Sequence, residues 1–390
     1  MPLKYNQSLL TQSVYQLTEL QNKAQTLRNQ GHDIINATIG DPKDNTPDHI
    51  REALIQHVQD TSNSQYPVHI GCDRLRSAIA HWASRTLNVS LNPGSHMLTC
   101  NGTKEAIFSL PMVLDKKSKP LVCIPSLSYP VYQMSAAYHG LDTYQLPLSQ
   151  ENQFLPDLDQ IPRDILNNTQ LFWINSPHNP TTSIVSKDYL KALIQLAETY
   201  DFLICSDECY NDLYETEQPP SILSFDSKHW VCFRSLSKRS HMTGYRSGAI
   251  ISKNEDLIAY LKKIRSPMGV GTPSFIQEAA ISAWNDDAHV DDHRMHYQKK
   301  RKKIKTALTS AGLEIFGGNA GFYMWVKSPN HSTSHELSEW FLNQGVLVTP
   351  GTVFGDDGNP YIRLVYCLQD KTIDQLCEKI TSGVAGSIKN

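Results

Sequence analysis

No run of about 18 apolar residues, the length a helix needs to cross a bilayer, occurs in the 390-residue chain. Residues 1–10 lack the basic start and long apolar core of a secretory leader, so a cytoplasmic protein is expected. Excess charge is also missing: 36 Lys and Arg against 39 Asp and Glu leave a formal net charge of −3. That balance offers no basic face to nucleic acid or to an anionic membrane, and an anionic substrate must be held by a few local cations. The eight cysteines are too sparse for a disulfide scaffold, and Cys123, Cys205 and Cys232 lie inside apolar, strand-like runs where reduced buried thiols are expected. Cys205 and Cys209 flank Ser206-Asp207-Glu208, but the spacing matches no common zinc pattern and no second ligand pair accompanies it, so no metal is expected.

What the chain has is length and alternation. It exceeds the roughly 250–300 residues at which single cores stop growing, which implies two domains. Apolar strands alternate with amphipathic helices between residues 95 and 252, the pattern of a mostly parallel sheet covered on both faces. A large domain is expected over 45–285, and a smaller α+β domain from both chain ends, 1–44 and 286–390. Helical spacing is read over 8–30, 48–59, 75–82 and 255–265, and from 277 onward as one helix into the basic stretch around 293–306. Lys299 to Lys303 alternate with Tyr297, Ile304 and Leu308 at helical spacing, so this run reads as a solvated helix face. Residues 321–326 and 346–349 read as strands of a second, smaller sheet.

The most informative stretch is Ser235-Leu236-Ser237-Lys238-Arg239-Ser240-His241-Met242-Thr243-Gly244-Tyr245-Arg246, a polar loop between two apolar strands. One lysine among hydroxyls, with an arginine shortly after, suits a covalent amine site beside a phosphate. A lysine amine forms a Schiff base only when deprotonated, which a partly dry pocket or cationic neighbours favour. Ser235, Ser237 and Arg246 can hold a dianion.

Other strand ends carry matching groups. Asn101-Gly102-Thr103-Lys104 turns from a strand into a helix, and free N–H groups with the positive dipole end make Gly102, Thr103 and Lys104 phosphate candidates. Tyr129, between Ser128 and Pro130 at the end of a strand, could stack on a flat heteroaromatic ring. Asn179, in a proline-rich loop, can donate to a phenolic oxygen from a fixed position. An acid at the end of the strand 202–205 wants a positive partner, and either Asp207 or Glu208 could supply it. Arg363, in an otherwise apolar strand, needs a carboxylate, from an internal ion pair or from a ligand.

These motifs resemble, in order and separation, the class I and II aminotransferases, fold-type I enzymes that use pyridoxal phosphate. The likeness spans Gly40 to Arg363. Ser-Leu-Ser-Lys-Arg-Ser, Ile39-Gly40-Asp41-Pro42-Lys43 and Asn101-Gly102-Thr103-Lys104-Glu105 are most similar to the N-succinyldiaminopimelate aminotransferases. His241 and Thr243 depart from that pattern, and Thr182 stands where glycine is usual. The resemblance implies a large α/β domain with a mostly parallel seven-stranded sheet, pyridoxal 5'-phosphate on Lys238, Asp207 on the pyridine nitrogen, and Tyr210 with Asn179 on the ring oxygen. It further implies Tyr129 on the ring, Gly40 and Arg363 on the substrate carboxylate, and Tyr66 reaching the neighbouring subunit's phosphate across a homodimer. The implied reaction moves an amino group between N-succinyl-LL-2,6-diaminopimelate and 2-oxoglutarate. Alternatives are a general aspartate, alanine, methionine or aromatic aminotransferase, and a carbon–sulfur β-lyase of the same fold. Arg239, Lys43 and Arg265 are candidates for a distal carboxylate.

Overall fold

The apolar runs ending at Pro125, Asn175, Asp207 and Ser235 lie side by side, because a strand buried on both faces has no polar side to offer water. The computed structural model describes residues 15–115, 117–327 and 333–387. Its seven-stranded sheet runs in the order Met97–Cys100, Gly248–Ile251, Trp230–Ser235, Leu203–Asp207, Thr169–Asn175, Leu121–Pro125, Asp142–Leu146. From Trp230–Ser235 to Asp142–Leu146 the neighbours are parallel, and Gly248–Ile251 runs antiparallel to both of its neighbours. Side chains alternate between two apolar layers: Trp230 and Cys232 join one with Trp82 and Trp284, while Val231 and Phe233 join the other with Trp173. The parallel strands end together, and their C-terminal ends open into one crevice, where sheets of this kind bind ligands.

A third core draws Ile35 and Ala37 from one end of the chain and residues from Tyr297 to Ile380 from the other. It covers an antiparallel sheet ordered Thr349–Pro350, Ile362–Val365, Tyr323–Lys327, Glu314–Phe316. Val346–Leu347 instead pairs in parallel with Ile35–Asn36, so the 346–349 stretch is shared between two sheets. No helix among the described residues is long and apolar enough to cross a membrane.

Three local expectations change. The helix read over 8–30 is seen as Tyr15–Asn29, and residues 8–14 lie outside the described residues. The helix expected to continue past Trp284 ends at Asn285, and a new one, Ala288–Ser310, begins after Asp286, whose backbone is extended and whose carboxylate accepts from the His289 N–H at 3.0 Å. That cap offers the chain an alternative to a continuous helix. Within the basic run, Lys299, Lys302 and Lys303 are exposed, but Lys300 and Arg301 turn inward, to Asp44 and to the Tyr366 hydroxyl.

Candidate active site

Lys238 sits on a short helix, Leu236–Arg239, where a loop was expected, and the Ser235 hydroxyl caps it by accepting from the Ser237 N–H at 3.1 Å. It faces a cavity of about 950 Å³ between the sheet's C-terminal ends and the strands carrying Tyr323 and Arg363. Its ammonium donates to the Gly40 carbonyl. Burial lowers the Lys238 pKa and the Arg363 charge acts the same way, against Cys367, Asp41 and Cys209. A side chain at Gly40 would crowd the Tyr323 ring, because an added Cβ would meet its hydroxyl and force it to shift.

Asp207, 6% exposed, is held by the Tyr132 hydroxyl at 2.7 Å and the Cys209 N–H at 3.2 Å. Burial pushes its carboxyl above the usual range, and no cation pairs with it among the described residues. Glu208 points the other way, 2.8 Å from Arg234 and 2.6 Å from the Ser221 hydroxyl. Asp207 is thus the acid that faces the cavity, and it is poised for a cationic N–H. The Tyr210 hydroxyl meets that of Tyr323.

Gly102, at φ +76°, precedes the helix Thr103–Ser109, and an added Cβ would lie 2.2 Å from Arg246 Nη2. The missing side chain lets the guanidinium close over the helix start. Arg246 donates to the Thr243 carbonyl at 2.9 Å, Lys104 Nζ stands 5.8 Å from the Tyr129 ring centroid, and neither has an ion-pair partner among the described residues. With Thr103, Ser235 and Ser237 they line one end of the cavity.

At the other end, Arg363 donates to Asn179 Oδ1 and to the Thr38 carbonyl, each at 2.7 Å, between the rings of Tyr323 and Phe354 at 4.6 Å. Its Nε has no partner, and no carboxylate meets it among the described residues. The internal ion pair considered from the sequence is therefore not what holds this arginine.

Tyr66 is fully exposed and does not join the cavity of its own chain. The three distal-carboxylate candidates are likewise not brought there: Arg239 is buried against Asp287 at 2.5 Å, Arg265 against Glu105 at 2.6 Å, and Lys43 bonds Asp41 at 2.7 Å outside the lining. Of the unusual residues, His241 stacks on His293 at 3.7 Å, Thr243 donates to Asp41 at 2.6 Å, and Thr182 adopts φ +64°. Tyr132, Tyr323 and Phe354 are site residues that the sequence reading passed over. The signal available for Tyr132 was its nearness to Tyr129; Tyr323 sat in a run read as a strand, and Phe354 carried no signal of its own.

The family model "Aminotransferase class I and II" matches residues 32–380, and the chain belongs to that family. An LL-diaminopimelate aminotransferase of Aquifex aeolicus is 35% identical over 94% of this chain and 95% of its own. LL-diaminopimelate aminotransferase 2 of a Nostoc species is 33% identical with the same coverage. Among solved structures, an aspartate aminotransferase single mutant of Thermus thermophilus superposes with a TM-score of 0.90 at 26% identity, covering 98% of this chain and 100% of that one. The α/β fold expected from the resemblance is thus the fold of the family, and the cofactor is pyridoxal phosphate. The residues present suit it: an unpaired buried acid for a pyridinium, a ring to stack on, and a cradle shaped by Gly102 with two unpaired cations for a phosphate. These relatives carry the name LL-diaminopimelate aminotransferase, where the sequence motifs suggested the N-succinyl enzymes.

Proposed function

We propose that the protein is an aminotransferase that takes the amino group of LL-2,6-diaminopimelate and passes it to 2-oxoglutarate, a step in lysine biosynthesis. One observation carries this reading: Arg363, buried beside Lys238 with Nε unpartnered and no carboxylate of its own, is a receptor for a substrate carboxylate. The names of the relatives and the charge of the cavity select the donor. Its wall carries four Lys and Arg side chains among the described residues, Lys104, Lys238, Arg246 and Arg363. Two serve the phosphate, one the amine chemistry and one the α-carboxylate. None is left for the carboxylate that a succinyl group adds, whereas the distal carboxylate of diaminopimelate is balanced by the distal ammonium beside it, which N-succinylation removes. The N-succinyl compound, favoured by the lysine-segment motif, is the second reading.

Pyridoxal phosphate, when bound, supplies an aldehyde carbon for the substrate amine and a ring that takes up the electron pair left by the departing α-proton. Lys238, its amine favoured by burial, would hold the cofactor between turnovers and, once displaced, would take the α-proton on Nζ and deliver it to the carbon that had been the aldehyde. Asp207, fixed by Tyr132, would keep a proton on the pyridine nitrogen. Tyr210 and Asn179 would donate to the ring oxygen, and Tyr129 would cover the ring face. Gly102, Thr103, Lys104, Ser235, Ser237 and Arg246 would hold the phosphate. Arg363 and the Gly40 amide fix the α-carboxylate, so the α-proton is presented to Lys238. Tyr66, exposed beside Val68 and near Ile55 and Val58 in sequence, belongs to a homodimer interface and completes the partner's phosphate site.

The test is glutamate formation from 2-oxoglutarate with LL-diaminopimelate, N-succinyldiaminopimelate, aspartate or cystathionine as donor. The highest kcat/KM is expected for LL-diaminopimelate. Pyruvate and ammonia released from cystathionine without any keto acid would instead make the protein a β-lyase.

A further inference from the structure

Away from the cavity, three side chains converge that transamination does not use. His49 lies in the first turn of the helix Asp48–Val58, Asp286 in the break between two helices, and His289 in the first turn of Ala288–Ser310. Their ligand atoms all lie within 4.8 Å of one another. Asp286 Oδ2 is 3.7 Å from His49 Nε2 and 2.5 Å from His289 Nδ1. Donors held at about 2.0–2.2 Å around a tetrahedral ion stand roughly 3.3–3.6 Å apart, so shifts of about an ångström complete the set.

The surroundings favour a ligand. Asp287, the neighbouring acid, is taken by Arg85 and Arg239, each at 2.5 Å. Asp286 has no Lys or Arg side-chain partner among the described residues, only the two imidazoles. His49 Nε2 is enclosed without a hydrogen-bond partner. The other nitrogen of His289, Nε2, lies 2.8 Å from the Ser240 hydroxyl, which can accept its proton and so leave Nδ1 as the free ligand atom. The Asp286 side chain is 34% exposed, which leaves a path for an ion and room for water.

We propose that His49, Asp286 and His289 form a three-ligand site for a divalent cation of the zinc type, with water completing the coordination. Two imidazoles and one carboxylate suit zinc and exclude a site built for magnesium or calcium, which take oxygen ligands. Binding takes the His289 tautomer whose proton lies on Nε2, donated to the Ser240 hydroxyl, and gives the Nδ1 lone pair to the ion. The ion ties the helix Asp48–Val58 to the start of Ala288–Ser310. Ser240 lies two residues from Lys238, and His293 Nδ1 bonds the Arg239 carbonyl at 3.0 Å, so the bound ion also stiffens the lysine segment.

The test is equilibrium dialysis of the cofactor-loaded, chelator-treated protein against zinc chloride, with magnesium chloride in parallel. One zinc per chain and a raised Tm are expected, with no retention of magnesium. His49→Ala and Asp286→Asn should each weaken zinc binding by at least about tenfold, and Ser240→Ala by about tenfold. His49→Ala should leave the cofactor absorbance unchanged and shift the chelator-state Tm less than it shifts the zinc-bound Tm, because its Nε2 makes no hydrogen bond without the ion. Absence of zinc binding, equal affinity for magnesium, or zinc affinity unchanged in both ligand variants would overturn the proposal.

Discussion

Arg363 and Asn179 are joined by a 2.7 Å hydrogen bond from Nη1 to Oδ1. On the proposed assignment, the residue that would take the substrate carboxylate therefore orients the residue that would donate to the cofactor's ring oxygen. The bond fixes the Asn179 amide: with Oδ1 accepting from the guanidinium, the NH₂ group is left to donate into the cavity. Substrate and cofactor recognition share one polar wall.

Arg363→Ala should raise KM for amino acids and keto acids alike. Truncating one member of a buried, charge-assisted contact costs about 2–5 kcal/mol, or roughly 30-fold and more in kcat/KM. Steady-state kinetics with two donors and two acceptors checks this, and an unchanged KM would make the arginine structural.

Lys238→Ala should remove the visible absorbance of the cofactor-loaded protein and lower kcat by at least about 10²–10⁴-fold, the range ascribed to a positioned acid–base group. Absorption spectra and single-turnover rates are the readout. Survival of the wild-type band would displace Lys238 from its role.

Much of this site was legible because most of its polar groups follow or end an apolar strand, and Arg363 interrupts one. Asp207 ends Leu203–Asp207, Lys238 follows Trp230–Ser235, and Asn179 follows Thr169–Asn175; a change from apolar to polar is what a sequence displays best. Tyr132, Tyr323 and Phe354 were not legible, since an aromatic residue in an apolar segment looks the same whether it packs a core or lines a cavity. Arg239 and Arg265 misled for the opposite reason: a charge in the sequence does not reveal that Asp287 or Glu105 waits beside it in the fold. The break at Asp286 depends on one side chain capping the next helix, which apolar periodicity does not register. The α/β layering, carried by whole strands, was far less sensitive to any single residue.

Acid should destabilise the protein through histidines buried in the neutral form. His178, at about 4, is lowered by burial; its ring lies 3.0 Å from the Leu127 carbonyl and 2.7 Å from the Thr181 hydroxyl. A folded pKa below the unfolded value of about 6.5 means that the unfolded chain binds more protons between the two. Its contribution is complete above about pH 6.5 and is lost as pH falls toward 4, at roughly 1.4 kcal/mol per pH unit. Tm measured across this window should fall on acidification, and His178→Gln should flatten the slope. Equal slopes in both proteins would contradict this.

Thr182 takes a backbone conformation that favours glycine, and its hydroxyl accepts from the Gly318 N–H at 2.6 Å. Thr182→Ala keeps the strain and leaves that buried N–H unpaired, which should cost about 1–3 kcal/mol. Thr182→Gly loses the same bond but relieves the backbone, so it should cost less by several tenths of a kcal/mol up to about 1 kcal/mol. Denaturant midpoints of the two variants decide the order, and a more stable alanine variant would contradict it.

The most direct test of the substrate assignment is the half-reaction on purified, cofactor-loaded protein, followed through the visible band as single amino acids are added. LL-diaminopimelate is predicted to bleach the band and 2-oxoglutarate to restore it, with N-succinyldiaminopimelate and aspartate acting far more slowly. Rapid bleaching by N-succinyldiaminopimelate or aspartate, with LL-diaminopimelate inert, would contradict the assignment.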